Sequence, residues 1–294
     1  MPPQAYRYRL VDVFTQVAFE GNALAVLPDA TGLDSRVMQQ IAREFNLSET
    51  TFVRPATLPD CVAEVRIFTP TREMRFAGHP TIGTGYVLLD EGRIAPPAVE
   101  FGLQEQIGRV PVRVARDESD LIWLRTPPIE WGPTYDPALC ARALGLRRED
   151  LAGAPPQRLS AGNPTLYIAL QTAAIVDRCE LGVEGARLLR GTETEPICVF
   201  VFAPSATGAY SRMFAPELGV VEDPATGSAT GPLAAYMQKY TLLPKAAASR
   251  FISEQGVKMR RRSLLHVRIE ARAGRFDFDV GGHVTPVGSG TILI

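Results

Sequence analysis

Histidine is scarce in this chain, with three among 294 residues, and the one at position 79 has neither a cysteine nor a second histidine nearby. Cysteine is almost as sparse. Cys61, Cys140, Cys179 and Cys198 are scattered without a CxxC pair, which excludes a disulfide framework and a zinc site and points to reduced thiols in a cytoplasmic protein. Neither sign of charge dominates. With 31 Lys and Arg against 32 Asp and Glu the net charge is −1, so no global field recruits nucleic acid or an anionic membrane. The one basic cluster, "KMRRR" at 258–262, lacks interleaved aromatics and reads as a solvated strand end or hairpin. No apolar run approaches the roughly 18 residues of a membrane span. The opening "MPPQAYRYRLVDVF" reads as a strand, not as a basic stretch leading into a signal core. No GxGxxG, P-loop, GxSxG or HExxH pattern is present, which sets aside nucleotide, serine-hydrolase and zinc-protease chemistry.

What the chain does have is an ordinary globular balance, 46% apolar and 21% charged, and a length that suits two domains of about 150 residues. It also repeats itself. "EGNALAVL" (20–27) returns as "AGNPTLYIAL" (161–170), "RIFTP" (66–70) as "RMFAP" (212–216), and "HPTIGT" (79–84) as "DPATGS" (223–228). The offsets, Gly21 to Gly162, Arg66 to Arg212 and His79 to Asp223, are 141, 146 and 144. Three markers in one order at a nearly constant spacing imply an internal duplication. The expected halves are residues 1–128 and 129–294, with the last strand free to return to the first. The join is expected in "RTPPIEWGP" (125–133), where prolines and glycine break regular structure. Beyond it, Asp136 and Pro137 read as a helix cap and first-turn proline, and Gly145 as the stop.

Short alternating strands dominate both halves, among them "RYRLVDVF", "VAEVRIF", "VPVRVA" and "LIWLR", then "PTLYIAL", "ICVFVFA" and "LLHVRIE". An amphipathic helix is expected over 35–46, with Met38, Ile41, Ala42 and Phe45 on one face and Asp34 as its cap. The fold class is therefore α+β. Two further helical stretches carry no charge, from Pro80 to Leu89 and from Pro224 to Gln238. A helix uncharged all round is buried on all sides, so each half is expected to wrap its strands around one central helix. Pro232 is expected to leave the second helix short or kinked.

A helix start exposes unpaired N–H groups and the positive end of the helix dipole. If the halves face one another by pseudo-symmetry, both starts reach one cleft and can hold a small carboxylate. His79 and Asp223 stand at equivalent places in the repeat, each before a proline. Singly, either reads as a routine cap; as a pair they suit proton handling or hydrogen bonding. Glu49, in "NLSETTFV", reads as an exposed turn glutamate or as a carboxyl whose apolar and hydroxyl neighbours raise its pKa. His266 and His283 read as structural.

Together "VDVFTQVAFEGNALAVL", "IAREFNLSETTFV", "RIFTPTREMRFAGHPTIGTG", "EDPATGSATGPLAAY" and the closing "GGHVTPVGSGTILI" resemble the PhzF-like proteins of phenazine biosynthesis over essentially the whole chain. The resemblance implies a diaminopimelate-epimerase-like fold: two pseudo-symmetric domains, each a barrel-like sheet around a central helix, with the active site in the cleft. It implies a homodimeric isomerase without cofactor or metal that moves a proton on trans-2,3-dihydro-3-hydroxyanthranilate or a similar small cyclic carboxylic acid. The family's acid/base glutamate falls on Glu49, its supporting histidine and aspartate on His79 and Asp223, and its substrate-contacting residues on Gly78, Gly227 and Ser228. Ala23 stands where the family often has proline. The catalytic cysteines of the related two-thiol racemases would fall near Ala77 and Thr226, so inversion by paired thiols is not expected. Two other classes stay open: a non-catalytic binder of small carboxylates, and an epimerase or lyase on another substrate.

Overall fold

The structure, a computed structural model, describes residues 3–95, 99–115, 120–244, 248–272 and 274–294. The chain divides into two compact units, Met1–Arg125 with Gly281–Ile294, and Thr126–Val280. The first runs β1 (Ala5–Val13), β2 (Asn22–Leu27), α1 (Ser35–Phe45), β3 (Glu49–Arg54), β4 (Ala63–Phe68), β5 (Glu73–Met74), α2 (Gly78–Asp90), β6 (Glu100–Glu105), β7 (Gly108–Ala115) and β8 (Leu121–Arg125). The second runs β9 (Glu130–Thr134), α3 (Pro137–Ala143), β10 (Gln157–Ser160), β11 (Thr165–Ala169), α4 (Ala173–Arg178), α5 (Val183–Arg190), β12 (Cys198–Ser205), β13 (Gly208–Ala215), β14 (Val220–Asp223), α6 (Gly227–Lys239), β15 (Arg250–Gln255) and β16 (Ser263–Arg272). Then come β17 (Arg275–Gly282) and β18 (Val284–Leu293). The last strand does return to the first unit, pairing antiparallel along β1. No helix among the described residues is long and apolar enough to cross a membrane.

Strand pairing in the first unit follows one order: β1–β2 antiparallel, β2–β3 parallel, β3–β4 antiparallel, β4–β5 antiparallel, β4–β6 parallel and β6–β7 antiparallel. The second unit repeats it with β10–β11, β11–β12, β12–β13, β13–β14, β13–β15 and β15–β16, each in the same sense. The repeat in the sequence thus has a counterpart in hydrogen bonding.

Side-chain alternation explains how each sheet is covered. In the second unit Leu166, Ile168, Val199 and Val201 pack with α3, α4 and α5, while Tyr167, Phe200 and Phe202 pack against Leu233 and Tyr236 of α6. In the first, Phe52 and Phe68 join Met38, Ile41 and Ala42 of α1. Asp34 caps α1 by accepting from the Val37 amide at 2.8 Å. On the sheet's other side α2 packs against β1, β2, β3, β4, β7, β8 and β18, and its residues from Gly78 to Gly85 are all buried. Such close packing requires small residues: a Cβ on Gly83 would lie 2.6 Å from Leu24 Cδ2.

Two expectations need correction. The proline-rich join is not irregular throughout, because Glu130–Thr134 forms β9 against β10. Pro133 is tolerated there since an edge strand does not need every N–H. Nor does Pro232 shorten α6, which runs 13 residues through it. The missing Pro232 N–H costs one helical bond, the one Ser228 C=O would accept.

Candidate active site

The two repeated "GN" pairs explain how each unit fixes the start of its buried helix. Gly21 has φ +66° and Gly162 φ +105°, left-handed turns that favour glycine; at Gly21 a Cβ would also lie 2.3 Å from Val13 O. The asparagine after each turn then reaches the second residue of its unit's helix. Asn22 Nδ2 lies 3.3 Å from His79 Nδ1, and Asn163 Nδ2 lies 3.4 Å from Ser228 Oγ.

Beside Asn22, β2 runs parallel to β3 with Leu24 opposite Glu49. Glu49 is therefore delivered to the same place, and its Oε2 lies 3.3 Å from His79 Nε2. The imidazole is almost wholly buried, at 4% side-chain exposure, while the Glu49 side chain keeps 17%, with Oε2 itself buried. Burial pushes the His79 pKa down to about 3, so the ring is neutral near pH 7. The amide agrees with this: a nitrogen that donates to Nδ1 leaves the single ring proton on Nε2, which faces Glu49. A neutral ring nitrogen thus stands beside the carboxyl of a partly exposed side chain.

The second unit holds Asp223, Gly227 and Ser228. Asp223 closes β14 and is buried, its Oδ2 accepting from Thr226 Oγ1 at 2.6 Å. Gln255, wholly buried on β15, clamps the turn: its Nε2 donates to Asp223 O at 2.7 Å and to Thr226 Oγ1 at 2.9 Å, and its Oε1 accepts from Thr226 N at 3.2 Å. Gly227 and Ser228 then open α6. The N-cap residues Ala77 and Thr226 make no side-chain cap. The first-turn N–H groups of Gly78, Gly227 and Ser228 therefore retain the donor capacity that anion binding uses.

His79 and Asp223 are not structurally equivalent, contrary to the expectation from the repeat. His79 is the second residue of α2, whereas Asp223 ends a strand four residues before α6 begins. Aligned by their helices, Gly78 matches Gly227 and His79 matches Ser228, both at an offset of 149. A proline after Asp or His resembles a helix start, but Asp223 is held in the strand by β13.

Asn22, Asn163 and Gln255 were not among the residues singled out from the sequence. The asparagines lay in plain view inside the repeat marker; nothing local distinguished Gln255. Among the described residues no three His, Cys, Asp or Glu side chains gather as metal ligands would.

A family model described as phenazine biosynthesis-like protein matches residues 11–290. The trans-2,3-dihydro-3-hydroxyanthranilate isomerase of Pseudomonas aeruginosa is 33% identical over 92% of this chain and 92% of its own. An uncharacterized isomerase of Mesorhizobium japonicum is 35% identical over 99% of this chain and all of its own. A Bacillus anthracis phenazine biosynthesis protein shares the fold, with a TM-score of 0.86 at 23% identity over 99% of this chain and all of that one.

Proposed function

Because the chain belongs to the phenazine biosynthesis-like protein family, we propose that this isomerase moves a proton on a small cyclic carboxylic acid resembling trans-2,3-dihydro-3-hydroxyanthranilate, with Glu49 as both acid and base. The observation that carries the reading is the 3.3 Å approach of buried His79 to partly exposed Glu49. Glu49 as carboxylate takes a proton from one ring carbon, and the electron pair left behind shifts through the adjoining double bond. Glu49 as acid then returns a proton at another carbon. His79 supports both steps by keeping a neutral Nε2 3.3 Å from the carboxyl, without competing for its proton, since its own basicity is suppressed. The family resemblance assigns substrate contacts to Gly78, Gly227 and Ser228 and a supporting role to Asp223. General acid–base catalysis contributes about 10²–10⁴-fold, a share that belongs to Glu49.

The recurrence of strand pairings supports descent of both units from one ancestor, each a barrel-like sheet around its buried helix. The family resemblance further implies a homodimer in the cytoplasm, for which sedimentation and fractionation are the tests. The function itself is tested by incubating the protein with trans-2,3-dihydro-3-hydroxyanthranilate and related acids in deuterated water, followed by proton NMR. An isomer carrying solvent deuterium at a ring carbon is expected. Binding with neither isomer nor label would show a non-catalytic binder, and an eliminated or inverted product would show a different enzyme.

A further inference from the structure

Behind the first turn of α2 lies a carboxyl that the reaction does not use. Phe101, Leu103 and Glu105 alternate toward α2 along β6; all three are buried, and Phe101 lies against Gly85. Glu105 Oε1 lies 2.6 Å from Thr81 Oγ1, and that hydroxyl is also 2.7 Å from the carbonyl of Ala77, the N-cap of α2. A hydroxyl carries one proton. Were Glu105 ionised, Thr81 would face two acceptors with a single hydrogen, and one oxygen–oxygen contact would be repulsive. If Glu105 is a carboxylic acid the count closes: it donates to Thr81, and Thr81 donates to Ala77.

Among the described residues, the neighbouring elements offer no counter-charge. From Gly78 to Leu89 the helix has no ionised side chain; its one titratable group in that turn, His79, is two residues along and thus more than half a turn round from Thr81. On β7, Gly108 lies opposite Glu105 and has no side chain, while Arg109 pairs with Gln104, on the other face. On β4, Glu64 likewise lies opposite Gln104. Oε2 of Glu105 is buried with no hydrogen-bond partner among the described residues, a poor setting for a carboxylate. Burial accordingly pushes the Glu105 pKa up to about 8.

We infer that Glu105 is a positioning residue that acts as a neutral acid, donating through Thr81 to the Ala77 carbonyl and so fixing the turn that presents Gly78 and His79. The inference rests on the assignment of His79 to the active site. When Glu105 ionises at alkaline pH the chain of donors is lost, and turnover should fall with it.

Glu105→Gln keeps a donor of the same length that cannot ionise, whereas Glu105→Leu fills the space without donating. The Gln variant is expected to retain at least half of wild-type kcat at pH 7 and to lose the alkaline decline near pH 8. The Leu variant is expected to fall by roughly tenfold or more at pH 6–7, the cost of one buried hydrogen bond, with the gap to wild type narrowing above pH 8. Infrared difference spectra of wild type against Glu105→Gln at pH 6 should show a protonated-carboxyl stretch that bleaches toward pH 9. That readout needs no substrate, so it stands or falls apart from the proposed activity. Absence of the stretch at pH 6, an unchanged alkaline decline in Glu105→Gln, or equal activity of the Gln and Leu variants would overturn the inference.

Discussion

At the scale of single residues, the proton on His79 is decided by Asn22. An amide nitrogen toward Nδ1 forces the proton onto Nε2, where it meets Glu49. Asn22→Asp keeps the shape and reverses the demand: a carboxylate there accepts, which draws the proton to Nδ1 and leaves a lone pair facing Glu49. A misplaced buried hydrogen bond costs about 1–3 kcal/mol, so kcat is expected to fall roughly 5- to 150-fold. The ring nitrogen shifts of His79 should exchange character. Unchanged shifts would show that Asn22 does not set the tautomer. This layer was only half legible in the sequence. Glu49 and His79 stood out through family motifs, but Asn22 is 57 positions from its partner and Glu105 is 24 from Thr81. No local pattern marks such contacts.

At the scale of elements, the second repeated motif is a clamp rather than a site. Arg66 forks onto Glu73 with both contacts at 2.7 Å and lies 5.1 Å from the Phe68 ring centre. Arg212 forks onto Glu222 at 2.9 and 2.8 Å, 4.7 Å from that of Phe214. Each fork holds a hairpin just ahead of the buried helix. Arg212 also donates to the carbonyls of Val176, Asp177 and Cys179, which ties α4 to the sheet. Arg212→Met should therefore cost about 3–5 kcal/mol by stranding Glu222. Arg66→Met, whose pair is more exposed, should cost less. Urea unfolding of the two variants checks the order, and adding Glu222→Met to Arg212→Met should restore the part due to the stranded carboxylate but not the part due to the three lost carbonyl contacts.

Elements were legible where local chemistry agreed with packing. Helix α1 carries its cap and its apolar stripe in one continuous segment, and α2 and α6 show themselves by lacking charge. The start of α6 was not legible, because Asp223–Pro224 imitates a cap while the strand partner that claims it lies elsewhere in the chain. Helices α4 and α5 are too short for their periodicity to stand out.

At the scale of the whole molecule, the two units share an order of strand pairings, but Glu49 has no counterpart. Glu49 opens β3 opposite Leu24; the same register in the second unit puts Cys198 opposite Thr165. The carboxyl proposed as acid and base thus belongs to one unit only. Two buried groups also shape stability against pH, with opposite signs. His79 titrates near 6.5 when unfolded and at about 3 when folded. Between those values the unfolded chain binds the extra proton, so stability falls as pH drops below about 6.5, by up to about 1.4 kcal/mol per unit. Glu105 moves from 4.5 to about 8 on folding; there the folded chain holds the extra proton, and stability falls as pH rises through that range. Urea midpoints measured across this range should lose their acid arm in His79→Gln and their alkaline arm in Glu105→Gln.

The central claim is that one carboxyl moves the proton, and the turnover of Glu49→Gln on trans-2,3-dihydro-3-hydroxyanthranilate tests it most directly. The account predicts a loss of at least about 10²-fold with the circular dichroism spectrum unchanged. Turnover within a few fold of wild type would contradict it.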